Sequence, residues 1–339
     1  MLGLAVLATA LLTPTPPTPP RKRSDAKLPR LMVLSTMPIA FGAYGPAVQL
    51  AGELSDPHAV LLQCGTYSVA VASVGLIRAV RERSVKVSRV EWRAGCELGM
   101  WITCAAIFEV LGLQRTSAAR AGFLVRLSTV LVPLVEAAVR RRWLSRLMTV
   151  AVGTSLAGVL LMVSQAGGAS AALSGGSTLV GDGLMGLAAL FYSGHILRMS
   201  TLAPRCGAWP LATAKAATQL FASQVALALF CVRHGGAAGF APPPLRVWRI
   251  ALFLGTVTCA WPLWAQGFGQ AGVRASHVSL IYATSPGWTA LLAWAVLGQQ
   301  LSSRALLGAG FMMAGAALSI VASATGVDDA PLERLEGEP

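Results

Sequence analysis

Apolar residues occur in ten long stretches that are separated by short polar or charged segments. Each stretch is close to the ~20 residues that a helix needs to cross a hydrocarbon core ~30 Å thick at 1.5 Å per residue. The pattern therefore predicts an all-α polytopic membrane protein with ten transmembrane helices. We refer to these stretches as the first to the tenth span, and they cover residues 31–51, 58–77, 94–113, 117–139, 147–165, 181–201, 211–232, 247–268, 275–297 and 304–323.

The second half of the chain repeats the end of the first half. A shift of 157 positions aligns the two halves without a gap, and the matched glycines and the matched Leu-Ser pairs carry the most weight. Five spans per copy is an odd number, so the second copy would lie upside down in the membrane, as in inverted-repeat transporters. The aligned positions include Ser128 with Ser285, Leu144-Ser145 with Leu301-Ser302, Gly153 with Gly310, and Ala157-Gly158 with Ala314-Gly315.

Composition and charge agree with a membrane protein. The chain is 55% hydrophobic and only 12% charged, whereas about a quarter of the residues in a soluble domain are charged. The net charge of +13 does not indicate a nucleic-acid partner, because the basic residues lie in short loops. Nineteen of them fall on one side of the ten spans and five on the other, which predicts that both termini face the cytosol or its equivalent.

The spans divide the chain into two five-helix repeats, at 31–165 and 181–323, joined by a linker at 166–180. Residues 1–30 are expected to be a disordered leader, with a cleaved targeting leader as the alternative because Ala8-Thr9-Ala10 resembles a cleavage site. Residues 324–339 form an acidic tail. The six cysteines show no metal-ligand spacing and are expected to be buried thiols, so neither a metal nor another cofactor is predicted.

The fourth span carries a family resemblance. Residues 116–134 read TSAARAGFLVRLSTVLVPL, and the second half supplies Gly181-Asp182-Gly183-Leu184, Ser285-Pro286, Leu297-Gly298 and the glycine-spaced segment 308–315. These segments are similar to the EamA domain of the drug/metabolite transporter superfamily over about residues 31–323. The resemblance implies a ten-helix carrier with a central cavity. Members of the family commonly carry a Glu just after the fourth and ninth spans, where this chain has Arg142 and Gln299.

Ionisable residues within spans are costly, so they usually face a cavity or a partner. Arg126 lies ~13 Å into its helix at 1.5 Å per residue, and the repeat places Arg120 opposite His277 and Glu109 opposite Gln266. Arg120, Arg126, His277 and Gln266 are therefore predicted to form a central site for an anionic group. The other candidates within spans are Glu97, Glu109, Glu136, His195 and Lys215.

Other interpretations of these charges remain open. Arg120 and Arg126 could instead neutralise Glu97 and Glu109 on the adjacent helix. Either glutamate could also act as a proton-coupling carboxylate. Lys215 is expected to reach the membrane interface and His195 to pack there. Among the aromatic residues within spans, Trp264 and Tyr282 are the two candidates for lining a substrate cavity.

These observations favour a secondary carrier that moves a small organic metabolite by alternating access, and the predicted site suits an anionic one. No phosphate-binding Gly-Lys-Ser/Thr loop indicates ATP hydrolysis, and an enzyme is not predicted. The alternatives are an integral membrane enzyme, which the four scattered histidines do not favour, and a receptor or scaffold that does not transport. The expected partners are the lipid bilayer and the substrate. The glycine runs at 153–158 and 308–315 are expected to allow close helix packing, with a contact to a second copy as the alternative. Either the plasma membrane or an organelle envelope such as that of a plastid would suit the chain.

Overall fold

The computed structural model describes residues 27–52, 56–82, 86–116, 121, 124–140, 143–165, 179–233, 243–300 and 302–325. The predicted leader up to residue 26, the linker at 166–178 and the tail from 326 onward lie outside these residues, as do Arg120 and Arg142. In the part of the chain that is described, the regular secondary structure is helical.

The first repeat contains six described helices and the second contains seven. Those of the first repeat are α1 (Lys27–Gly42), α2 (Tyr44–Leu50), α3 (Asp56–Arg81), α4 (Arg89–Leu113), α5 (Ser128–Arg140) and α6 (Arg146–Gln165). Those of the second are α7 (Leu179–Leu202), α8 (Ala208–Arg233), α9 (Leu245–Phe253), α10 (Trp261–Gly269), α11 (Ala275–Tyr282), α12 (Ser285–Leu297) and α13 (Ser303–Thr325). A 3₁₀ turn at Ala203–Arg205 follows α7, and a π-helical segment at Leu254–Ala260 joins α9 to α10.

Eight helical segments within the described residues are long and apolar enough to cross a membrane. The protein is therefore an integral membrane protein with several spans. Helix α6 is apolar but shorter, and the fourth span is described only from residue 124 onward with an isolated residue at 121. These two segments would bring the number of spans to ten, and that number stays a prediction. The eight segments are Lys27–Leu50, His58–Arg81, Arg89–Leu113, Leu179–Arg205, Ala208–Arg233, Leu245–Gly269, Ala275–Leu297 and Ser303–Ala324.

The packing of these helices has two-fold symmetry. Helix α4 packs against α7, and its repeat equivalent α10 packs against α1. The contact of α5 with α7 corresponds to the contact of α12 with α1. The contact of α4 with α8 corresponds to the contact of α9 with α3. Three spans contact their own repeat equivalents, through the helix pairs α3 with α8, α5 with α11, and α6 with α13. A two-fold relation between units with an odd number of spans inverts one unit, which is the architecture of inverted-repeat transporters.

The sequence repeat is visible in the local structure of both copies. Helices α5 and α12 are each 13 residues long and begin at Ser128 and Ser285, the positions that the 157-residue shift aligns. The next helix of each copy has a serine at its N-terminus. The Ser145 hydroxyl accepts a hydrogen bond from the Met148 amide, and the Ser302 hydroxyl accepts one from the Ala305 amide. Each serine thus satisfies an amide that the helix itself leaves without an acceptor.

The ninth span is broken between α11 and α12 by a turn at residues 283–284, and the fourth has a turn at the equivalent residue 127. Helix α5 is the predicted cytosolic half of the fourth span. It contacts α11, the predicted cytosolic half of the ninth span. Helix α12, the outer half of the ninth span, contacts α1, α2 and α13. The two copies of this span therefore meet on the predicted cytosolic side of the bundle.

A buried apolar cluster fills this meeting point, and we call it the inner apolar cluster. It lies where α1 and α11 begin, so it is near the predicted cytosolic surface. The Glu136 carboxylate at the end of α5 accepts a 2.7 Å hydrogen bond from the Ser276 amide of α11 and lies 3.6 Å from Arg274 Nε. The cluster consists of Leu31, Leu34, Val132, Ile196, Val273, Ala275, Val278 and Ile281. Its side chains come from the first, fourth, sixth and ninth spans and from the residues just before the ninth.

Candidate functional site

Arg126 in the fourth span contacts both repeats. Its guanidinium donates a 3.2 Å hydrogen bond to the Ser285 hydroxyl at the start of α12. It also interacts electrostatically with Glu109 of α4 and with Tyr192 of α7. The Tyr192 hydroxyl in turn donates a 2.6 Å hydrogen bond to the Glu109 carboxylate. Arg126 is therefore within electrostatic range of Glu109, and neutralisation of that carboxylate by Arg126 stays a prediction.

Lys215 of α8 lies inside the bundle and is only 2% exposed. Its ammonium nitrogen is 2.8 Å from Nε2 of His195 on α7 and donates a 2.5 Å hydrogen bond to Oε1 of Gln266 on α10. His195 is likewise 2% exposed. The expectations that Lys215 reaches the membrane interface and that His195 packs there are therefore wrong. The side chains of other helices surround both residues.

The two groups of contacts share helix α7 and are linked through Gln266, Tyr282 and Ser285, and we call their residues together the polar ring. Gln266 hydrogen-bonds with Tyr282, and the Ser285 hydroxyl donates to the Tyr282 carbonyl at 2.7 Å. Tyr192 and His195 are three residues apart and share one face of α7. The ring runs through Arg126, Ser285, Tyr282, Gln266, Lys215, His195, Tyr192 and Glu109. Six spans contribute to it, two from the first repeat and four from the second.

The two aromatic candidates from the sequence have different surroundings. The Trp264 ring stacks on Phe268 with centroids 5.3 Å apart and also contacts Trp209 and Trp261. Tyr282 makes an edge contact with Phe41 at 5.7 Å and accepts a hydrogen bond from Gln270. Tyr282 thus belongs to the polar ring, whereas Trp264 packs against a separate apolar cluster that includes Trp209 and Leu263.

Other residues of the predicted site have contacts of their own. His277 is buried and its Nδ1 lies 3.0 Å from the Ser319 hydroxyl, so it lies between α11 and α13. The Glu97 carboxylate hydrogen-bonds with the Arg198 guanidinium near the cytosolic end of α7, and both side chains are exposed. The described partner of Glu97 is therefore an arginine of the sixth span, and a pairing with an arginine of the fourth span stays a prediction. Arg120 lies outside the described residues.

Sequence reasoning included Arg126, Glu109, Gln266 and Tyr282 but did not assign Lys215, His195 or Tyr192 to the site. A signal for Lys215 was present, because Lys215 is one of only four lysines and the three others lie outside the predicted spans. Its helix continues for seven residues on the cytosolic side, from Ala208 to Ala214. That depth alone could not distinguish a side chain that reaches the interface from one that points inward.

Comparison with known proteins agrees with this architecture. The model of the EamA-like transporter family matches residues 29–164 and again residues 179–321. A search of curated proteins found no match. One solved crystal structure of a protein aligns with 92% of this chain over 100% of its own length, at a TM-score of 0.68. Its sequence identity is 16%, so that likeness concerns the fold.

Proposed function

Because the chain belongs to the EamA-like transporter family, with both family repeats present, we propose that it is a secondary carrier of a small organic anion and works by alternating access. The polar ring is the observation that carries this proposal. It places hydrogen-bonding and charged side chains from six spans inside an otherwise apolar bundle. Such groups in a membrane interior mark a substrate or ion pathway, because burying them without a function is costly.

The charge of the ring supports an anionic substrate. Arg126 and Lys215 are basic, Glu109 is its one carboxylate, and the remaining members are neutral or a histidine. The excess of basic groups favours a molecule that carries a negative charge. The aromatic ring of Tyr282 would contact its organic part.

The inner apolar cluster supports alternating access. Its members Ile196 and Ile281 adjoin the ring residues His195 and Tyr282, each one residue nearer the predicted cytosolic end of its helix. We infer that the described arrangement is the state that is closed toward the cytosol. In an inverted repeat the equivalent contacts on the opposite side would close the site in the second state.

A transport assay with purified protein in liposomes tests the function. The vesicles are loaded with pooled organic anions, cations or neutral metabolites, and counterflow of the labelled pool is followed with and without a pH gradient. We expect saturable exchange from an anionic pool, and a response to the gradient would indicate proton coupling. Protein that is folded and correctly inserted but exchanges no pool would contradict the carrier function. Exchange confined to cationic or neutral pools would contradict the anionic substrate alone.

A further inference from the structure

The two basic residues of the polar ring differ in how their charge is balanced. Arg126 interacts with the Glu109 carboxylate. Lys215 has two hydrogen-bonding partners, His195 and Gln266, and neither is an acid. Among the described residues no carboxylate forms an ion pair with Lys215. The excess positive charge of the ring is therefore located at Lys215.

The surroundings of Lys215 hold it in this position. The side chain is 2% exposed, and its neighbours Ala212, Ala214 and Ala216 are completely buried against other helices. A lysine that faced lipid could extend its ammonium group toward the headgroups. Lys215 instead points to His195 and Gln266 on two other helices. A buried basic group without a counter-charge weakens a protein, so its retention calls for a role other than packing.

The ammonium group has hydrogen-bonding capacity to spare. It carries three N–H donors, and among the described residues its two acceptors are Nε2 of His195 and Oε1 of Gln266. A carboxylate or phosphate oxygen would accept the third and would supply the missing negative charge. Hydrogen bonds between charged groups are shorter and stronger than those between neutral groups.

We propose that Lys215, held by His195 and Gln266, binds the anionic group of the transported molecule, a carboxylate or a phosphate, and that Arg126 serves to neutralise Glu109. This inference rests on the proposed carrier function and names the group that selects its substrate. Lys215 lies seven residues from the predicted cytosolic end of α8, whereas Glu109 lies four residues from the predicted outer end of α4. An anion that enters from the outer side would therefore pass the balanced Arg126–Glu109 pair and stop at Lys215.

The test compares Lys215→Gln with Lys215→Arg and with Lys86→Gln as a matched control. Lys86 lies between α3 and α4, away from the ring, and its side chain is exposed. Three quantities are measured for each purified variant. Counterflow and thermal protection are measured with pools of carboxylates, phosphate esters, amines and sugars. The melting temperature is measured without ligand. Glutamine keeps a hydrogen-bond donor for the neighbours of Lys215 while it removes the charge.

We expect Lys215→Gln to weaken binding of the anionic pool about ten- to a hundredfold, the range for loss of a hydrogen bond to a charged group. Its melting temperature without ligand should equal or exceed that of the wild type, because an uncompensated buried charge is gone. Lys215→Arg should retain part of the anion exchange and Lys86→Gln all of it. A purely structural lysine would instead lower the melting temperature and would affect every pool equally.

Two results would overturn the proposal. One is that the wild type and Lys215→Gln exchange an anion equally well. That result would leave the carrier function intact and remove Lys215 from the site. The other is wild-type exchange that is confined to amines or sugars. A wild type that exchanges nothing would instead overturn the carrier function, so the two failures are distinguishable. Separate scores for carboxylates and phosphate esters identify the anionic group.

Discussion

Glycines at the contact between α6 and α13 illustrate how single atoms set the distance between two helices. A Cβ atom at Gly315 would lie 2.1 Å from the Ser155 hydroxyl and 2.7 Å from the Ala151 carbonyl. A Cβ atom at Gly310, on the same helix, would meet nothing within 4 Å. The glycine runs thus contribute to close packing within the chain. Pairing of these runs with a second copy stays a prediction.

This contrast gives a matched pair of substitutions. We expect Gly315→Ala to lower the free energy of unfolding by about 1–3 kcal/mol, because overpacking forces the helices apart. Gly310→Ala should be neutral or stabilising by about 0.5–1 kcal/mol, since alanine favours a helix more than glycine does. The melting temperatures of both variants in the same detergent provide the measurement. Equal effects of the two substitutions would show that the α6–α13 contact is not close in the folded protein.

The sequence predicted the site residues unevenly, and the reason is physical. Glu109 and Gln266 were recognised because the repeat aligns polar groups at equivalent depths. Lys215 and His195 were not, because depth along a helix gives no information about the direction that a side chain takes around it. The partner of Glu97 was missed for the same reason: Arg198 is 101 residues distant, and only the packing of α4 against α7 brings the two together.

At the scale of elements, the broken fourth and ninth spans form the moving contact of the proposed transport cycle. Helices α5 and α11 meet at the inner apolar cluster, and Glu136 connects them through the Ser276 amide and Arg274. Breaks in membrane helices of transporters commonly coincide with the binding site. Here the break at residues 283–284 lies between Tyr282 and Ser285, both members of the polar ring. Movement at the cluster would therefore displace the ring directly.

Glu136→Gln should weaken this contact and favour opening toward the cytosol. The measurement uses a Val278→Cys reporter in a chain whose native cysteines have been replaced, labelled by an impermeant maleimide from the cytosolic face of inverted vesicles. We expect the Glu136→Gln variant to show labelling of the buried reporter that is several times faster, because an amide pairs less strongly with Arg274 than the carboxylate does. Glu82→Gln is the matched control, since Glu82 pairs with Arg78 at the end of α3, outside this contact. Unchanged labelling in Glu136→Gln would contradict a gating role for the acid.

At the scale of the whole molecule, the repeat predicted which helices are equivalent, and the symmetric packing follows from it. The aligned Leu-Ser pairs became matched helix starts at Ser145 and Ser302. Departures from symmetry were not predictable. The π-helical segment Leu254–Ala260 occurs in the eighth span, whereas the equivalent α4 is continuous from Arg89 to Leu113. A π-helical segment is often found at a functional site, and this one precedes the aromatic residues and Gln266.

Orientation in the membrane decides which way the described arrangement is closed. Nineteen basic residues on one side against five on the other predict that the inner apolar cluster faces the cytosol. A fluorescent protein fused after Pro339, in bacteria, should therefore fold in the cytosol and fluoresce, and alkaline phosphatase inserted after residue 170 should be active outside. Phosphatase inserted after residue 84 is the control and should be inactive. The reverse pattern would place the inner apolar cluster on the outer side of the bundle, and the described arrangement would then be the state closed toward the outside.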